Sequence, residues 1–124
     1  MARRLSQELL DRSESLAHRT VDVAEQLVKQ RRFSRIIDQL VGSGTSVGAN
    51  SCEADEAMSA RDFCKGLGVV VKELSETAFW LRFASKRGWI KPTRLAPLML
   101  ECDELKRIFG SMLARTRKKV RQPL

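Results

Sequence analysis

Residues 42–50 read Gly42-Ser43-Gly44-Thr45-Ser46-Val47-Gly48-Ala49-Asn50, a glycine-rich stretch that resembles a phosphate-binding loop. A Walker loop also needs a lysine after its second glycine, and none follows here. A dinucleotide loop needs a buried strand before it, whereas residues 35–41 repeat their apolar side chains three and four positions apart, as a helix does. We therefore predict a helix in which Gly44 and Gly48 allow close packing, which offsets a propensity cost of roughly 1 kcal/mol per glycine.

The composition predicts one domain, residues 1–124, with a basic surface. A hydrophobic content of 43% is enough to fill one core, and the net charge of +8 favours an anionic partner such as nucleic acid or an acidic protein. Cys52, Cys64 and Cys102 form no close pair and His18 is the only histidine, so we predict no metal, no cofactor and a reduced, cytoplasmic protein. No stretch has the character of a signal peptide or membrane span, so no membrane association is expected.

Apolar residues recur at helical spacing through most of the chain, which predicts four helices and no strand. The helices are expected at about residues 5–29, 34–57, 60–86 and 93–117. Ser59 and Thr93 are the predicted N-caps of the third and fourth helices, and a basic C-terminal tail, residues 115–124, is expected to fray. Short turns between helices of this length predict an all-α, antiparallel up-down four-helix bundle.

The third helix carries more apolar surface than one side of a bundle requires. Trp80 and Phe83 lie outside its core stripe, as do Val69 and Val71. A helix from another subunit would cover this surface, so we expect a homo-oligomer. The alternative is that Trp80 and Phe83 fold over the ends of the bundle.

Four polar residues on helices two and three, Asn50, Glu53, Glu73 and Glu76, suggest catalytic acids or carboxylate ligands of a di-iron bundle. A di-iron bundle needs two Glu-x-x-His motifs, and His18 belongs to none. A hydrolase needs a nucleophile or a metal-bound water, which no cluster of His or Asp supplies here. We therefore assign no catalytic residue, expect no enzyme, and expect these four residues to hydrogen-bond across the two helices and fix their register.

Basic residues cluster at both ends of the predicted bundle. The turn between helices one and two lies at the same end as the turn between helices three and four, and both turns are basic. The candidate nucleic-acid-binding residues of these turns are Lys29, Arg31, Arg32, Arg35, Arg82, Lys86, Arg87, Lys91 and Arg94. Those of the C-terminal segment are Arg115, Arg117, Lys118, Lys119 and Arg121. Phosphate binding is one explanation, and solubility or compensation of helix dipoles is the other.

Several motifs of the chain resemble the 23S rRNA-intervening sequence protein family. They are Gln39-Leu40-Val41, residues 43–50, Glu53-Ala54, Ser59 with Asp62-Phe63, Lys72-Glu73, Glu76-Thr77 and Trp80-Leu81. The resemblance runs from about Leu16 to Leu113, and it implies a four-helix bundle that assembles into a ring, usually a pentamer, without established enzymatic activity. Some relatives, the accessory variability determinants of diversity-generating retroelements, bind nucleic acid and a reverse transcriptase.

Two functions from different classes remain open. The first is an oligomeric scaffold that binds RNA or an RNA–DNA intermediate through its backbone, because only Phe33 and Trp89 lie among the basic residues as possible stacking groups. The second is a protein-interaction ring whose basic surface docks a reverse transcriptase or another nucleic-acid enzyme. Neighbouring genes would separate the two functions, since a reverse-transcriptase gene would favour the second.

Overall fold

In the computed structural model, which describes residues 3–121, the chain forms four α-helices. They are α1 (Gln7–Lys29), α2 (Ser34–Asp55), α3 (Ala60–Lys86) and α4 (Pro92–Arg121). Consecutive helices pack side by side in antiparallel directions, and the part of the chain described contains no strand. The predicted all-α four-helix bundle is confirmed. No helix among residues 3–121 is long and apolar enough to cross a membrane.

Each helix contributes one buried stripe to a common core. Leu16, Leu40, Leu74 and Leu105 come from the four helices in turn, and all four are fully buried. The stripe of α2 continues through the glycine-rich stretch, residues 42–50, all of which is helical. The stretch is therefore a packing segment, and the phosphate-loop alternative is wrong.

The backbone of α2 approaches α1 closely at Gly44. A Cβ atom added to Gly44 would lie 2.4 Å from Cγ2 of Thr20, closer than real side chains come. At Gly48 the corresponding atom would lie 3.5 Å from Cβ of Ala17, which is an ordinary contact. Both glycines face α1 as a packing role requires, but only Gly44 lacks room for a side chain.

Small residues also set the register of α2 against α3. Thr77 donates a hydrogen bond from Oγ1 to Oγ of Ser43, 3.0 Å away, and both side chains are buried. Near the other end of these helices, a Cβ atom on Gly66 would lie 3.0 Å from Cβ of Ala54. The register therefore depends on one buried hydroxyl pair and one close backbone approach.

The polar residues that we expected to fix this register do not bridge the helices. Nδ2 of Asn50 donates to a backbone carbonyl of its own helix, and Oε2 of Glu76 accepts from Nε1 of Trp80 in the same helix. Within residues 3–121, the side chains of Glu53 and Glu73 form no hydrogen bond to another helix. The physical reason is that α2 and α3 meet through their small residues, which leaves the longer polar side chains along the outer edge of the contact.

Four helix boundaries differ from the predictions. α1 begins at Gln7 and not at residue 5, because Ser6 is its N-cap. α4 begins at Pro92, so Thr93 is not its cap; proline suits the first helical position because its missing N–H has no partner there. α2 ends at Asp55, whose Oδ1 accepts the backbone N–H groups of Arg4 and Leu5. The expected basic tail is helical as far as Arg121, and Gln122, Pro123 and Leu124 lie outside the residues described.

An ion pair joins α1 to α4. Nε and Nη2 of Arg12 donate to the two carboxylate oxygens of Glu101 at 3.0 and 2.7 Å, and Nη2 also reaches Oε1 of Glu104 at 2.9 Å. The Arg12 guanidinium, chiefly through its hydrogen bond, holds the pKa of Glu101 below its usual value. The paired side chains of Arg12 and Glu101 are 25% and 19% exposed, so solvent screens the pair only in part.

We expect Arg12→Gln to lower the free energy of unfolding near neutral pH by about 1–2 kcal/mol. A carboxylate with a lowered pKa stabilises the fold above its unfolded pKa, and this contribution is lost as the pH falls through the folded pKa. The difference between Arg12→Gln and the wild type should therefore vanish in acid, as urea denaturation at a series of pH values would show. Arg107→Gln, which removes an exposed arginine from α4, is the control; an equal loss there would contradict the ion-pair explanation.

Candidate nucleic-acid interface

The turn between α1 and α2 places a strained arginine at the end of the bundle. The N–H of Arg32 donates to the carbonyl of Leu27 at 3.1 Å, and that of Arg31 donates to Val28 at 2.9 Å, which is the Schellman arrangement. Arg31 lies at φ 57°, a left-handed conformation that normally selects glycine. An L-residue with this conformation costs about 1–2 kcal/mol. A basic side chain therefore occupies a position at which glycine would make the backbone more stable.

The turn between α3 and α4 has the same backbone arrangement with glycine in the left-handed position. The N–H of Trp89 donates to the carbonyl of Ala84 and that of Gly88 donates to Ser85, both at 3.0 Å. Gly88 lies at φ 74°. Trp89 and Ile90 then turn back into the core and are buried. The turn is thus fixed by apolar side chains below it, while its basic residues stay on the surface.

Direct contacts join the two turns, as the up-down topology predicted. Nε2 of Gln30 donates to the backbone carbonyl of Trp89 at 2.9 Å. Cζ of Arg32 lies 5.1 Å from the centre of the Trp89 ring, a cation–π distance, and the Phe33 ring lies 6.3 Å from it. We call the surface formed by residues 29–35 and 86–94 the turn face.

Every charged residue of the turn face is basic, because neither segment contains Asp or Glu. All the predicted basic residues of the two turns are exposed except Arg32, which is half-buried against Trp89. Arg82 lies one helical turn before Lys86 in α3, and its Cζ is 5.7 Å from the centre of the Phe79 ring. Within residues 3–121, none of these basic residues forms a salt bridge. Their charges are therefore available to an anion.

The helix termini at the turn face also favour negative charge. α2 and α4 begin here, and neither has an acidic residue in its first turn; α2 also lacks a side-chain cap. α1 and α3 begin at the opposite end, where Ser6 and Ser59 cap them and Glu8 and Asp62 occupy their first turns. The positive dipole ends of two helices thus remain uncompensated at the turn face. Lys29 and Lys86, in the last turns of α1 and α3, compensate their own helix ends as well.

The C-terminal basic residues form a separate cluster at the opposite end of the bundle. The predicted residues there are Arg115, Arg117, Lys118, Lys119 and Arg121, all exposed on the last turns of α4. With 30 residues, α4 separates its two ends by about 45 Å. Acidic residues share this end, since Asp55 lies 4.0 Å from Arg3 and Asp62 lines a groove with Arg117. The structure therefore brings the two turns together and leaves the C-terminal cluster apart.

Of the residues predicted to serve packing or oligomer contacts, Gly44 and Gly48 face α1, and the others lie on α2 and α3. Asn50 and Glu53 line a shallow groove there with Val69, and Trp80 and Phe83 are half-buried further along α3. An aromatic row continues from Phe79 and Trp80 (4.8 Å between ring centres) through Phe83 (5.8 Å from Trp80) to Trp89 (5.7 Å from Phe83). Phe79, which the sequence did not single out, remains 44% exposed. Both explanations of Trp80 and Phe83, contact with another subunit and covering of the bundle end, stay predictions.

Burial raises the pKa of Glu73 beside this row, and the carboxylate of Glu76 raises it further. Burial also raises the pKa of the Cys102 thiol, in the core, to about 12, so this cysteine is not a nucleophile at neutral pH. Across residues 3–121, no three side chains of His, Cys, Asp or Glu come together as a metal site would require.

The chain is similar to a known family in sequence and in structure. The family model described as 23S rRNA-intervening sequence protein matches residues 6–111. A crystal structure from Bacteroides thetaiotaomicron, of a protein with unknown function from the S23 ribosomal protein family, is 30% identical with a TM-score of 0.80, covering 85% of this chain and 97% of that chain. No curated protein matches the chain. The family match includes the whole turn face and ends before the C-terminal basic residues begin at Arg115.

Proposed function

The chain belongs to the 23S rRNA-intervening sequence protein family, and we propose that it is a non-enzymatic, oligomeric scaffold that binds RNA or an RNA–DNA hybrid. The turn face is the observation that carries this proposal. It joins two basic segments without a carboxylate, adds two helix N-termini without acidic first turns, and lies within the part of the chain that matches the family.

The backbone of the nucleic acid is the target that this surface fits best. Long, exposed arginine and lysine side chains bind phosphates without selecting a base sequence. Arg31 supports this assignment, because its left-handed backbone holds a charge where glycine would be more stable. Binding should therefore be strong at low salt, weaker at high salt, and similar for unrelated sequences.

The family resemblance implies assembly into a ring, usually a pentamer. Such a ring would multiply the turn faces available to one polyanion. The surface that favours assembly is the apolar face of α3 formed by Val69, Trp80 and Phe83. Val69 is 38% exposed, and Trp80 and Phe83 are half-buried and follow it at helical spacing. A neighbouring subunit would remove this apolar surface from water.

We expect light scattering after size exclusion to give a mass several times the 14.1 kDa of the chain. Val69→Arg places a charge on this apolar face of α3 at an already exposed position, so it should reduce the mass without unfolding the subunit. Leu100→Arg, at a 67% exposed position on α4, is the matched control and should leave the mass unchanged. A wild-type monomer at micromolar concentration would refute the oligomer.

A salt titration of the wild-type protein tests the proposed function. Fluorescence anisotropy with labelled RNA, DNA and an RNA–DNA duplex should show log affinity falling linearly with log salt, by about 0.7–0.9 for each phosphate that the protein binds. Absence of binding to all three nucleic acids at low salt would reject the proposal. The alternative function would then take its place, a protein-interaction ring whose basic surface docks an acidic or nucleic-acid-bearing enzyme such as a reverse transcriptase.

A further inference from the structure

Phe33 is the most exposed aromatic side chain in the part of the chain that the structure describes, and it lies in the middle of the turn face. Its side chain is 68% exposed, although burial would stabilise a phenyl ring. It occupies the N-cap position of α2 and forms no cap hydrogen bond. Ser, Thr, Asp or Asn at this position would cap the helix and stabilise it more than Phe33 does. Neither the exposure nor the position of Phe33 is explained by folding stability.

The Phe33 ring is nevertheless held in place. Its centre lies 6.3 Å from that of Trp89, with the two planes tilted by 40°. Trp89 is only 8% exposed and is fixed by the hydrogen bond from Gln30 and by the guanidinium of Arg32. One side of Phe33 thus rests beside a rigid neighbour, and the rest of the ring faces solvent.

We propose that the turn face binds single-stranded nucleic acid, with an unpaired base stacked on Phe33 and the adjacent phosphates bound by Arg31 and Arg35. This inference rests on the proposed function and narrows it to strands, loops or ends with unstacked bases. In a duplex the base faces are already stacked on one another, so Phe33 has no partner there. An exposed ring surrounded by unpaired cations matches a ligand that carries flat faces and regular negative charge.

The charge pattern around Phe33 favours a nucleic acid over a peptide. The residues from Lys29 to Arg35 include basic, polar and aromatic side chains but no acid, so a partner must supply the negative charge. Each nucleotide offers one phosphate and one flat base face in fixed proportion. Stacking needs no particular base, in agreement with backbone binding that does not select sequence.

Anisotropy titrations with a labelled single-stranded RNA, the matching DNA strand and their blunt duplexes test this inference. Phe33→Ala should weaken binding to the single strands roughly 5- to 100-fold and leave duplex binding almost unchanged. The dependence on salt should stay the same, because no charge is removed. Phe33→Trp should retain the affinity. Val28→Ala, at a 58% exposed apolar position on the same end of the bundle, is the matched control.

A strand of the same length with abasic sites keeps the phosphates and removes the bases, which isolates the stacking interaction. Removing the bases and removing the Phe33 ring should have similar effects, and the two together should weaken binding no more than either alone. Additive effects, or equal reductions in affinity for single strands and duplexes, would overturn the inference. So would a fall in oligomer mass for Phe33→Ala, which would make Phe33 a subunit contact.

The possible failures are distinct. If the wild-type protein binds no nucleic acid, the proposed function and this inference are both rejected. In a second outcome, single strands bind the wild type, bind more weakly when the turn-face charges are removed, and bind Phe33→Ala as tightly as the wild type. This outcome rejects the inference and leaves the proposed function in place. A preference between RNA and DNA strands leaves the inference intact, because both carry the same base faces and phosphates.

Discussion

Gly44→Leu is expected to destabilise the protein more than any other single substitution considered, by about 3 kcal/mol or more. The Cβ atom alone would lie 2.4 Å from Cγ2, 2.6 Å from Cβ and 2.8 Å from Oγ1 of Thr20. Thr20 cannot move aside easily, because it is fully buried and its Oγ1 donates to the carbonyl of Leu16 at 2.8 Å. The side chain must therefore push α1 away from α2 across the core.

The other glycines of α2 provide graded controls for urea denaturation followed by circular dichroism. Gly42 has nothing within 4 Å of an added Cβ atom, so Gly42→Ala should be neutral or stabilising by up to about 1 kcal/mol. At Gly48 an added Cβ atom has an ordinary contact distance, so the change in unfolding free energy for Gly48→Ala should lie between those for Gly42→Ala and Gly44→Leu. Equal destabilisation at Gly42 and Gly44 would contradict the approach of α1 as the cause, because helix propensity favours alanine and leucine over glycine at both positions.

The sequence predicted the fold because its apolar periodicity is long and uninterrupted. A helix of more than twenty residues repeats its core stripe several times, so one exception does not change the prediction. Ser59 was identified as a cap because a hydroxyl residue precedes the stripe with Asp62 in the first turn, and its Oγ does accept the N–H of Asp62 at 3.0 Å. Gly44 was identified by the same periodicity, since it falls on the buried stripe.

The predictions that failed depended on contacts between helices. The sequence places Asn50 and Glu73 beside the contact of α2 and α3, but whether they reach across depends on how closely the backbones approach. That distance is set by Gly66, which no pattern distinguished from the neighbouring glycine at position 68. The end of α4 was misjudged because a basic segment is equally compatible with a frayed tail and with a helix end that its own charges stabilise.

The candidate site was predictable in location and not in detail. Antiparallel topology alone places the two basic turns at one end, whatever their side chains do. The contacts of Gln30 and Arg32 with Trp89 require particular side-chain directions, which sequence spacing does not supply. The left-handed conformation of Arg31 was not predicted, because its turn contains no glycine, the residue that usually indicates this conformation.

The second large effect is expected when four charges are removed from the turn face. Arg31, Arg35, Lys86 and Arg87 are all exposed and, within residues 3–121, form no salt bridge, so changing them together to Gln should preserve the fold. Arg32 is left in place because it packs against Trp89. We expect affinity for RNA and DNA to fall at least about tenfold at physiological salt, and to a similar extent for unrelated sequences.

A matched variant carries the same charge change at the opposite end of the bundle. It replaces Arg117, Lys118, Lys119 and Arg121 with Gln, and these residues lie beyond the part of the chain that matches the family. Because both variants lose four positive charges, a general effect of net charge on association would appear equally in both. Circular dichroism and light scattering would confirm that both variants keep the helical content and the mass in solution of the wild type.

The slope of log affinity against log salt, measured for the wild type and for these two variants, tests the role of the turn face most directly. The turn-face variant should have a flatter slope, by about 0.7–0.9 for each phosphate that it no longer binds, while the C-terminal variant keeps the slope of the wild type. A flatter slope in the C-terminal variant alone, or unchanged slopes in both, would contradict phosphate binding by the turn face.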